Sequence, residues 1–460
     1  MTKAPLWTVA EVAHALGLSG EFPDTPVDFV TQDSRAVKPG SLFVALSGTP
    51  SGGFISSFAS SRDGWEFAAN AQDAGAVAMI VPHRIDGITV PQLIVGDTLI
   101  DGLWGLARAA RARFKGPVIG LTGSAGKTST KEFIAAYPQA AASPSSFNNF
   151  WGVPLTLCNA DPNASVWVVE MGMNQTGEIA RLTELTRPTV ALVVNVQPVH
   201  LEKLGSLEAI RQEKVSIARG LPPCGSLVLP AGLVASEWSG KTLRFGEGAE
   251  VCELKHTPRG ESWDVSAEVA GRKVDFSLTP GAPHRLQNAL AALAAVSAAG
   301  LDPALLAKEL DHVGIMTGRG VEQSAGGIVL IDDSFNGNPA SMAAALDSLQ
   351  ARPVTSGRRI GIVGDMLELG AEAAAYHEGL IRHLDGIDGV YCVGSLMRHL
   401  FDRLPANKRL GWHEDPATLQ PAEVAALLKR GDVVVIKGSK KIFWVNKFVP
   451  RLAAALEAQA

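Results

Sequence analysis

Short apolar runs alternate with segments of helix length through the middle of the chain. The runs lie at Val118–Leu121, Val166–Val169, Val190–Val194 and Leu227–Leu229. Apolar runs of about four to eight residues indicate buried strands, and strands that alternate with helices are typical of a parallel sheet covered by helices. The pattern therefore predicts a central α/β unit with a parallel sheet.

The pattern changes beyond this sheet. Residues from about 241 to 280 carry short alternating runs separated by turn residues, which predict a β-rich part. An alanine-rich helix is predicted from about His284 to Ala299. From near Gly318 the strand–helix alternation returns, and it predicts a second doubly wound sheet whose strands lie in GIVLIDD, RIGIVGD, GVYCVG and DVVVIKGS.

The length of the chain fits three domains. A chain of 460 residues is too long for one ordinary core. The first hundred residues mix strand-like runs (SLFVALSG, AVAMIVP, PQLIVG) with helix-like stretches. We predict an α/β fold with a smaller N-terminal α/β domain over 1–112, a central parallel-sheet domain over 113–316 and a C-terminal Rossmann-like domain over 317–460.

Composition and charge narrow the class of protein. Hydrophobic residues make up 46% of the chain and charged residues 19%, which is typical of a globular protein. The formal net charge of −5 leaves no basic surplus for a phosphate backbone, which argues against a general nucleic-acid binder. The four cysteines are scattered without metal-ligand spacing, as in reduced cytosolic proteins. The start lacks an apolar signal core and the longest apolar stretch is too short to span a bilayer, so a cytoplasmic protein is expected.

The strongest chemical signal is a glycine-rich segment between a predicted strand and a predicted helix. It reads Thr122, Gly123, Ser124, Ala125, Gly126, Lys127, Thr128 and Ser129. In a phosphate-binding loop, glycines let backbone N–H groups turn toward the phosphates, and the helix N-terminus adds a favourable dipole. Lys127 is expected to reach the β- and γ-phosphates, and the Thr128 hydroxyl to bind Mg²⁺. A glycine turn beside a solvated lysine is the alternative, because position 121 is leucine where the strict G-x-x-x-x-G-K-[ST] spacing has glycine.

Further polar residues follow other predicted strands. Glu170 ends the run VWVVE, where both a metal ligand and a helix cap are compatible with the pattern. His200 by itself is compatible with a structural role, and Lys214 by itself with a solvated helix. Asp332 and Asp333 end a strand before an asparagine-rich turn, which suits ribose or adenine binding as well as a plain turn.

In order along the chain, these segments resemble the Mur ligase family over essentially the whole length. The family pattern has a TGxxGKT loop, an N-N-x-x-G-x-P segment, a strand-end E-x-G, an N-x-x-x-x-H-L-E stretch with a downstream lysine, a G-R hinge and a D-D-S-[YF]-N-x-N-P signature. Here the segments read TGSAGKT, NNFWGVP, EMG, NVQPVHLE with Lys214, GRGVE and DDSFNGNP. Within the family, EMGMNQTGEIARLTEL, DDSFNGNPASMAAAL and GDMLELG look like the MurF type.

The resemblance implies an activity, its cofactors and its partners. It implies a ligase of peptidoglycan precursor synthesis that uses ATP and two Mg²⁺ to join D-alanyl-D-alanine to UDP-N-acetylmuramoyl-tripeptide. It also implies an N-terminal UDP-sugar-binding domain, a central P-loop-type ATPase domain and a C-terminal domain that closes over the site. A monomer is expected.

The resemblance also assigns roles to matching residues. Lys127, His200 and Lys214 are the implied catalytic residues, and Lys214 matches a lysine that several members use in carbamylated form. The implied metal ligands are Thr128, Glu170 and His200. The implied ATP contacts are Gly123, Ser124, Ala125, Gly126, Lys127, Thr128, Ser129, Asn288, Arg319, Asp333 and Asn336. The implied substrate contacts are Ser34, Arg35, Asn148 and Asn149.

Departures and rival interpretations accompany the resemblance. Trp65 stands where the family usually has histidine, after an apparent insertion (TPSGGFISSFASSRDG), and Ser146 stands where asparagine is frequent. The rival enzymes are a Mur-type ligase that adds a single amino acid, a folylpolyglutamate synthase-like ligase, and a phosphate-loop kinase or GTPase. The sequence has no N-K-x-D guanine-binding motif, which argues against the kinase or GTPase interpretation. A nucleotide-gated binding module is the non-enzymatic alternative.

Overall fold

The N-terminal elements form a small α/β unit. The computed structural model describes residues 4–49, 60–259, 262–279, 284–354 and 356–459, so residues 50–59 of the predicted insertion lie outside the described residues. In chain order the elements are β1 (Trp7–Thr8), α1 (Val9–Ala15), β2 (Pro26–Val27), β3 (Phe29–Thr31), β4 (Ser41–Val44), α2 (Ala68–Asp73), β5 (Ala76–Val81), β6 (Gln92–Ile94) and α3 (Leu99–Arg113). Strands β3, β4, β5 and β6 pair in parallel in that order, and β1 pairs with β2 in an antiparallel ribbon. A capping box of Thr8 and Glu11 starts α1.

The central unit is built on one large sheet. Its elements are β7 (Val118–Thr122), α4 (Lys127–Ala135), β8 (Ala140–Ala142), α5 (Gly152–Asn159), β9 (Val166–Glu170), α6 (Glu178–Thr186), β10 (Val190–Val193), α7 (Leu201–Leu204), α8 (Leu207–Val215), β11 (Ser226–Pro230), β12 (Lys241–Phe245), β13 (Val251–Arg259), β14 (Ser262–Val269), β15 (Arg272–Leu278), α9 (His284–Ala298) and α10 (Pro303–Ala307). Among the described residues the sheet order is β15-β14-β13-β12-β11-β10-β7-β9-β8. The four predicted strands are confirmed to within one residue at each end.

The predicted β-rich part is present, and it continues this sheet. Strand β12 pairs in parallel with β11, and β13, β14 and β15 then follow as an antiparallel meander. The outer part of β13 is exposed along its length, as expected for strands that extend beyond the helices. The predicted alanine-rich helix is α9, whose small side chains are buried against the sheet from Ala289 to Val296.

The C-terminal unit is a second, mostly parallel sheet. Its elements are β16 (Val321–Ala325), β17 (Ile328–Asp333), α11 (Pro339–Ala351), β18 (Arg359–Gly364), α12 (Ala373–Gly379), β19 (Gly389–Val393), α13 (Arg398–Arg403), β20 (Arg409–His413), α14 (Pro421–Ala425), β21 (Val433–Lys437) and α15 (Phe448–Glu457). Their order is β16-β17-β21-β18-β19-β20, and only β16 is antiparallel to its neighbour in this described sheet. The four strands predicted here are confirmed, whereas the edge strands β16 and β20 were not predicted because their residues are mostly polar or partly exposed.

The N-terminal and central units pack against each other. Leu103 of α3 and Leu155 of α5 belong to one apolar cluster. The indole N–H of Trp7 donates to the Cys158 carbonyl at 3.0 Å, and that of Trp104 donates to the Phe150 carbonyl at 2.7 Å. Within the described part of the chain, no helix is both long and apolar enough to cross a bilayer.

Candidate active site

The predicted phosphate-binding loop connects β7 to α4, as the sequence indicates. Gly126 precedes α4 with φ of 75°, and a Cβ built on it would lie 2.6 Å from the Asn288 side-chain oxygen. Both the positive φ and the close approach require glycine. The Lys127 ammonium donates to the Gly123 carbonyl at 2.7 Å, so the lysine folds back over the loop.

A residue that the sequence analysis missed fixes the conformation of this loop. The Asn195 side chain accepts from the Ala125 N–H at 2.9 Å and donates to the Ala125 carbonyl at 3.0 Å. The Ser124 hydroxyl donates to the Gln197 carbonyl at 3.0 Å and accepts from the Gln197 N–H at 2.9 Å. The loop after β10 therefore holds the middle of the phosphate loop. Asn195 is the first residue of the NVQPVHLE segment, which was the available signal.

Glu170 lies beside the phosphate loop, at the carboxyl end of β9. Its side chain is fully buried, and one carboxylate oxygen accepts from the Asn148 amide at 2.7 Å and lies 3.4 Å from the Thr128 hydroxyl. The second oxygen is buried without a hydrogen-bond partner among the described residues. The Thr128 hydroxyl also accepts from Arg319 at 3.1 Å and lies 3.4 Å from the Ser146 hydroxyl. The segment just before β16 thus reaches the phosphate loop.

This arrangement fits Mg²⁺. The cation prefers hard oxygen ligands, and it commonly binds through one or two carboxylates with waters and substrate phosphates. The unpartnered oxygen of Glu170 and the nearby Thr128 hydroxyl offer such ligands. No group of three or more His, Cys, Asp or Glu side chains in the described chain forms a metal cage. The site therefore suits a cation that takes its remaining ligands from phosphate and water.

A second group of predicted residues lies around one small cleft. Ser129, Asn288 and Arg319 line one small cleft together with His284 and Met316. The Asn288 side-chain amide nitrogen is buried without a partner among the described residues, so it can donate to a ligand. Partial desolvation at the rim of the cleft lowers the pKa of His284, which favours the neutral ring. His284 was not predicted, although it stands one helical turn before Asn288.

The strand-end residues of the C-terminal sheet are joined by a lysine. Lys437, at the end of β21, donates to the Asp333 carboxylate at 2.7 Å and to the Asn336 carbonyl at 3.1 Å. The Asn336 side-chain oxygen accepts from the Gly337 N–H at 2.9 Å. Asp333 and Asn336 therefore lie together, and Lys437 is a further polar residue that the sequence analysis missed.

Lys214 is buried in the central unit near Lys127. Its pKa lies well below the ordinary value because the side chain is desolvated and the Lys127 charge repels its own. The neighbouring carboxylates are engaged elsewhere: Glu213 accepts from two backbone N–H groups at 2.7 and 2.8 Å, and Glu178 from two at 2.5 and 3.3 Å. Burial likewise lowers the pKa of Lys127, an effect that Glu170 opposes.

The contacts of four further predicted residues lie away from the phosphate loop. His200 contacts Glu368 of the C-terminal unit through Nδ1. Ser34 and Arg35 lie in a short 3₁₀ helix of the N-terminal unit, where Arg35 is exposed and pairs with Asp33 at 2.8 Å. Asn149 accepts from the Gly152 N–H at 2.8 Å and so caps the start of α5.

Comparison with known proteins identifies the family. Residues 121–296 match the Mur ligase middle domain, and residues 320–440 match the Mur ligase glutamate ligase domain. The UDP-N-acetylmuramoyl-tripeptide–D-alanyl-D-alanine ligase of Escherichia coli (strain K12) is 36% identical over 405 residues, which are 84% of this chain and 86% of that protein. The enzyme of the same name from Synechocystis sp. is 32% identical over 439 residues, with 91% of this chain and 90% of that protein covered.

Solved structures agree with the sequence relatives. The crystal structure of MurF from Acinetobacter baumannii has a TM-score of 0.82 and 26% identity, and covers 97% of this chain and 99% of its own. MurF ligase from Thermotoga maritima in complex with ADP has a TM-score of 0.77 and 25% identity, with 95% and 100% covered. The family resemblance predicted from the sequence segments is thereby confirmed. The chain belongs to the Mur ligase family and, within it, to the MurF type.

Proposed function

We propose that this chain is the ATP-dependent ligase that joins D-alanyl-D-alanine to UDP-N-acetylmuramoyl-tripeptide and so completes the pentapeptide precursor of peptidoglycan. The observation that carries the proposal is the meeting of Lys127, Thr128 and Glu170 with Arg319 from the segment before the C-terminal sheet. The relatives at 36% and 32% identity bear the name of this activity.

The chemistry requires activation of a carboxylate, because its oxygen is a poor leaving group. The tripeptide carboxylate attacks the γ-phosphorus of ATP, giving an acyl phosphate and ADP. The free amine of D-alanyl-D-alanine then attacks the acyl carbon, and inorganic phosphate leaves from a tetrahedral intermediate as the amine loses a proton. Phosphoryl transfer depends mainly on positioning and charge neutralisation. Lys127 and Arg319 are the cations placed to supply both.

Magnesium would be held mainly by Thr128 and Glu170, with His200 as a further ligand. When bound, it would neutralise negative charge on the phosphate oxygens. Two ions are proposed, one at the Thr128 and Glu170 oxygens and one supported by Lys214 in carbamylated form. The remaining proposed nucleotide contacts are Gly123, Ser124, Ala125, Gly126, Ser129, Asn288, Asp333 and Asn336.

A carbamate on Lys214 would convert a buried cation into an anion. Its lowered pKa favours the neutral amine, whose lone pair can attack CO₂, form an N–C bond and release one proton to water. Glu213 and Glu178 accept from backbone N–H groups, and their charges only partly offset the desolvation of the lysine. We expect activity to fall in CO₂-depleted buffer and to return with bicarbonate. Lys214→Ala should be inactive with or without bicarbonate, and wild-type activity that is indifferent to CO₂ would remove the carbamate from the scheme.

In this proposal the three domains have different roles. The N-terminal domain (1–112) binds the UDP-sugar with Ser34 and Arg35, the central domain (113–316) binds ATP, and the C-terminal domain (317–460) closes over them. Asn148 and Asn149, which precede α5, contribute to the tripeptide site. The enzyme acts as a monomer in the cytoplasm.

Phosphate release from ATP tests the proposed function. The assay uses UDP-N-acetylmuramoyl-tripeptide with and without D-alanyl-D-alanine. Release that needs both substrates, together with the pentapeptide product detected by mass, is the expected result. Release with single amino acids or with a folate, and none with this pair, would transfer the chain to another branch of the ligases.

A further inference from the structure

A loop of the C-terminal unit contacts the central unit at His200. The loop comprises residues 365–370, directly after β18. At its tip, the Glu368 carboxylate contacts Nδ1 of His200, and the Glu368 carbonyl accepts from the Glu202 N–H at 3.2 Å. Gly370 also lies close to the Glu202 backbone, since a Cβ on this glycine would be 3.3 Å from the Glu202 Cα. The contact therefore joins both the side chain and the backbone of this loop to the start of α7.

The loop is held in place from within its own unit. The Met366 N–H donates to Nε2 of His377 at 2.9 Å, and the Leu367 N–H donates to the Ser439 hydroxyl at 2.8 Å. His377 is fully buried and also contacts the Ala373 carbonyl at 2.6 Å through Nδ1. The two residues before Glu368 are thus fixed, so the position of the Glu368 carboxylate follows the position of the whole C-terminal sheet.

Backbone strain is present on both sides of the contact. His200 has φ of 55° and Glu368 has φ of 64°, the left-handed region that residues with a Cβ rarely adopt. Such residues are energetically costly and persist where the surrounding structure fixes them, often at functional sites. Two of them facing each other across the junction of two units indicate that this contact is specified by the fold.

We propose that Glu368 is a positioning residue that orients the imidazole of His200 when the C-terminal domain is closed. The proposal rests on the proposed function, in which His200 serves the active site. A carboxylate at Nδ1 keeps a proton on that nitrogen and leaves Nε2 as the atom with a free lone pair, the arrangement that carboxylate–histidine pairs give to metal-binding histidines. Because Glu368 belongs to the C-terminal unit, the correct ring orientation would exist only in the closed arrangement.

The size of the expected effects separates positioning from plain stabilisation. The side chains of His200 and Glu368 are 29% and 41% exposed, and exposed ion pairs contribute little to stability. Removal of the Glu368 carboxylate should therefore leave the melting temperature almost unchanged. Loss of a carboxylate that orients a functional histidine typically costs about 10- to 100-fold in metal affinity or activity.

The test compares three variants of the full chain. Glu368→Ala removes the acceptor, Glu368→Gln keeps an oxygen that can accept from Nδ1–H, and Glu378→Gln changes a surface carboxylate of the same unit that pairs with Arg403 at 3.2 Å. We expect Glu368→Ala to lower kcat about 10- to 100-fold with a smaller change in the KM for ATP. Glu368→Gln should recover much of that loss, and Glu378→Gln should match wild type.

A spectroscopic measurement distinguishes failure of this inference from failure of the proposed function. The ¹⁵N shifts of the His200 ring report which nitrogen carries the proton, whatever the substrates are. In wild type they should report the Nδ1–H form, and in Glu368→Ala a mixture of the two tautomers. Unchanged shifts together with unchanged kcat in Glu368→Ala would overturn the positioning role. If wild type showed no turnover with the proposed substrates, the proposed function would fall, while the ring shifts would still decide the role of Glu368.

Discussion

At the scale of single residues, two desolvated cations meet one buried carboxylate at the phosphate loop. Lys127 and Arg319 are these cations, and burial lowers the pKa of each. Glu170 is the carboxylate whose charge acts on both Lys127 and Arg319. Buried charges are costly unless they are paired. The excess of positive charge therefore favours a bound polyanion, such as a nucleoside triphosphate with its cation.

Replacement of Lys127 tests this balance directly. Lys127→Ala removes the cation that folds over the phosphate loop, and we expect phosphate release to fall by about 10³-fold or more. Lys308→Ala is the matched control, because Lys308 is exposed on the same unit. Near-normal turnover in Lys127→Ala would contradict the assignment of the loop to ATP.

The carboxylate of Glu170 gives a separate prediction about magnesium. Glu170→Gln preserves the shape of the side chain but removes the charge beside the Thr128 hydroxyl. We expect kcat to fall by about 10²-fold and the magnesium concentration for half-maximal activity to rise. A magnesium titration of phosphate release measures both. An unchanged titration curve would show that the cation binds elsewhere.

At the scale of elements, the sequence was most informative where a strand is buried on both faces. Strands β7, β9, β10 and β11 read as apolar runs, and the residues that follow such strands meet at one edge of the sheet. For this reason the phosphate loop and Glu170 could be placed near each other without a structure. The domain boundaries at 112 and 316 remain predictions.

Partners distant in sequence could not be predicted in the same way. Asn195 holds Ala125 from 70 positions away, Lys437 reaches Asp333 across 104 positions, and Glu368 meets His200 across 168. No periodicity links such pairs, because the contact arises only when loops from different strands pack together. The edge strands β16 and β20 were missed because their side chains are mostly polar or partly exposed and form no continuous apolar run.

The buried histidine behind the 365–370 loop predicts a pH dependence of stability. Burial lowers the pKa of His377 below its ordinary value of 6.5, and the neutral ring accepts from the Met366 N–H. Below pH 6.5 the unfolded chain therefore binds a proton that the folded chain does not, so stability is lost as pH falls from 6.5 toward the folded pKa. The melting temperature of wild type should drop between pH 7.5 and 5.5.

The quantity that isolates His377 is the slope of melting temperature against pH. His377→Gln should be less stable at pH 7.5 but should show a shallower slope, because the titrating group is gone. His312→Gln, which changes an exposed histidine, should keep the wild-type slope. Equal slopes in wild type and His377→Gln would assign the acid sensitivity to other groups.

At the scale of the whole molecule, a stack of three side chains, Arg319, Phe335 and Trp444, lies where the chain enters the C-terminal unit. The Arg319 guanidinium lies 4.5 Å from the centre of the Phe335 ring, and that ring packs edge-on against Trp444 at 5.2 Å. Arg319 also donates to Thr128 of the phosphate loop. The orientation of the C-terminal sheet and the position of Arg319 over the phosphate loop are therefore coupled through this stack.

Two glycines on either side of Arg319 allow the coupling to be tested. Gly318 and Gly320 both have positive φ, of 76° and 94°, so alanine at either position is strained by about 1–2 kcal/mol. Only at Gly318 would the added Cβ collide with a neighbour, 2.5 Å from the Trp444 ring, whereas it meets nothing within 4 Å at Gly320.

Gly318→Ala must displace the stack, and misplacement by about 1 Å can cost 10²-fold in rate. We expect a much larger loss of kcat in Gly318→Ala than in Gly320→Ala, at similar losses of melting temperature. Equal losses of kcat would mean that backbone strain alone, and not the Trp444 and Phe335 stack, sets the position of Arg319.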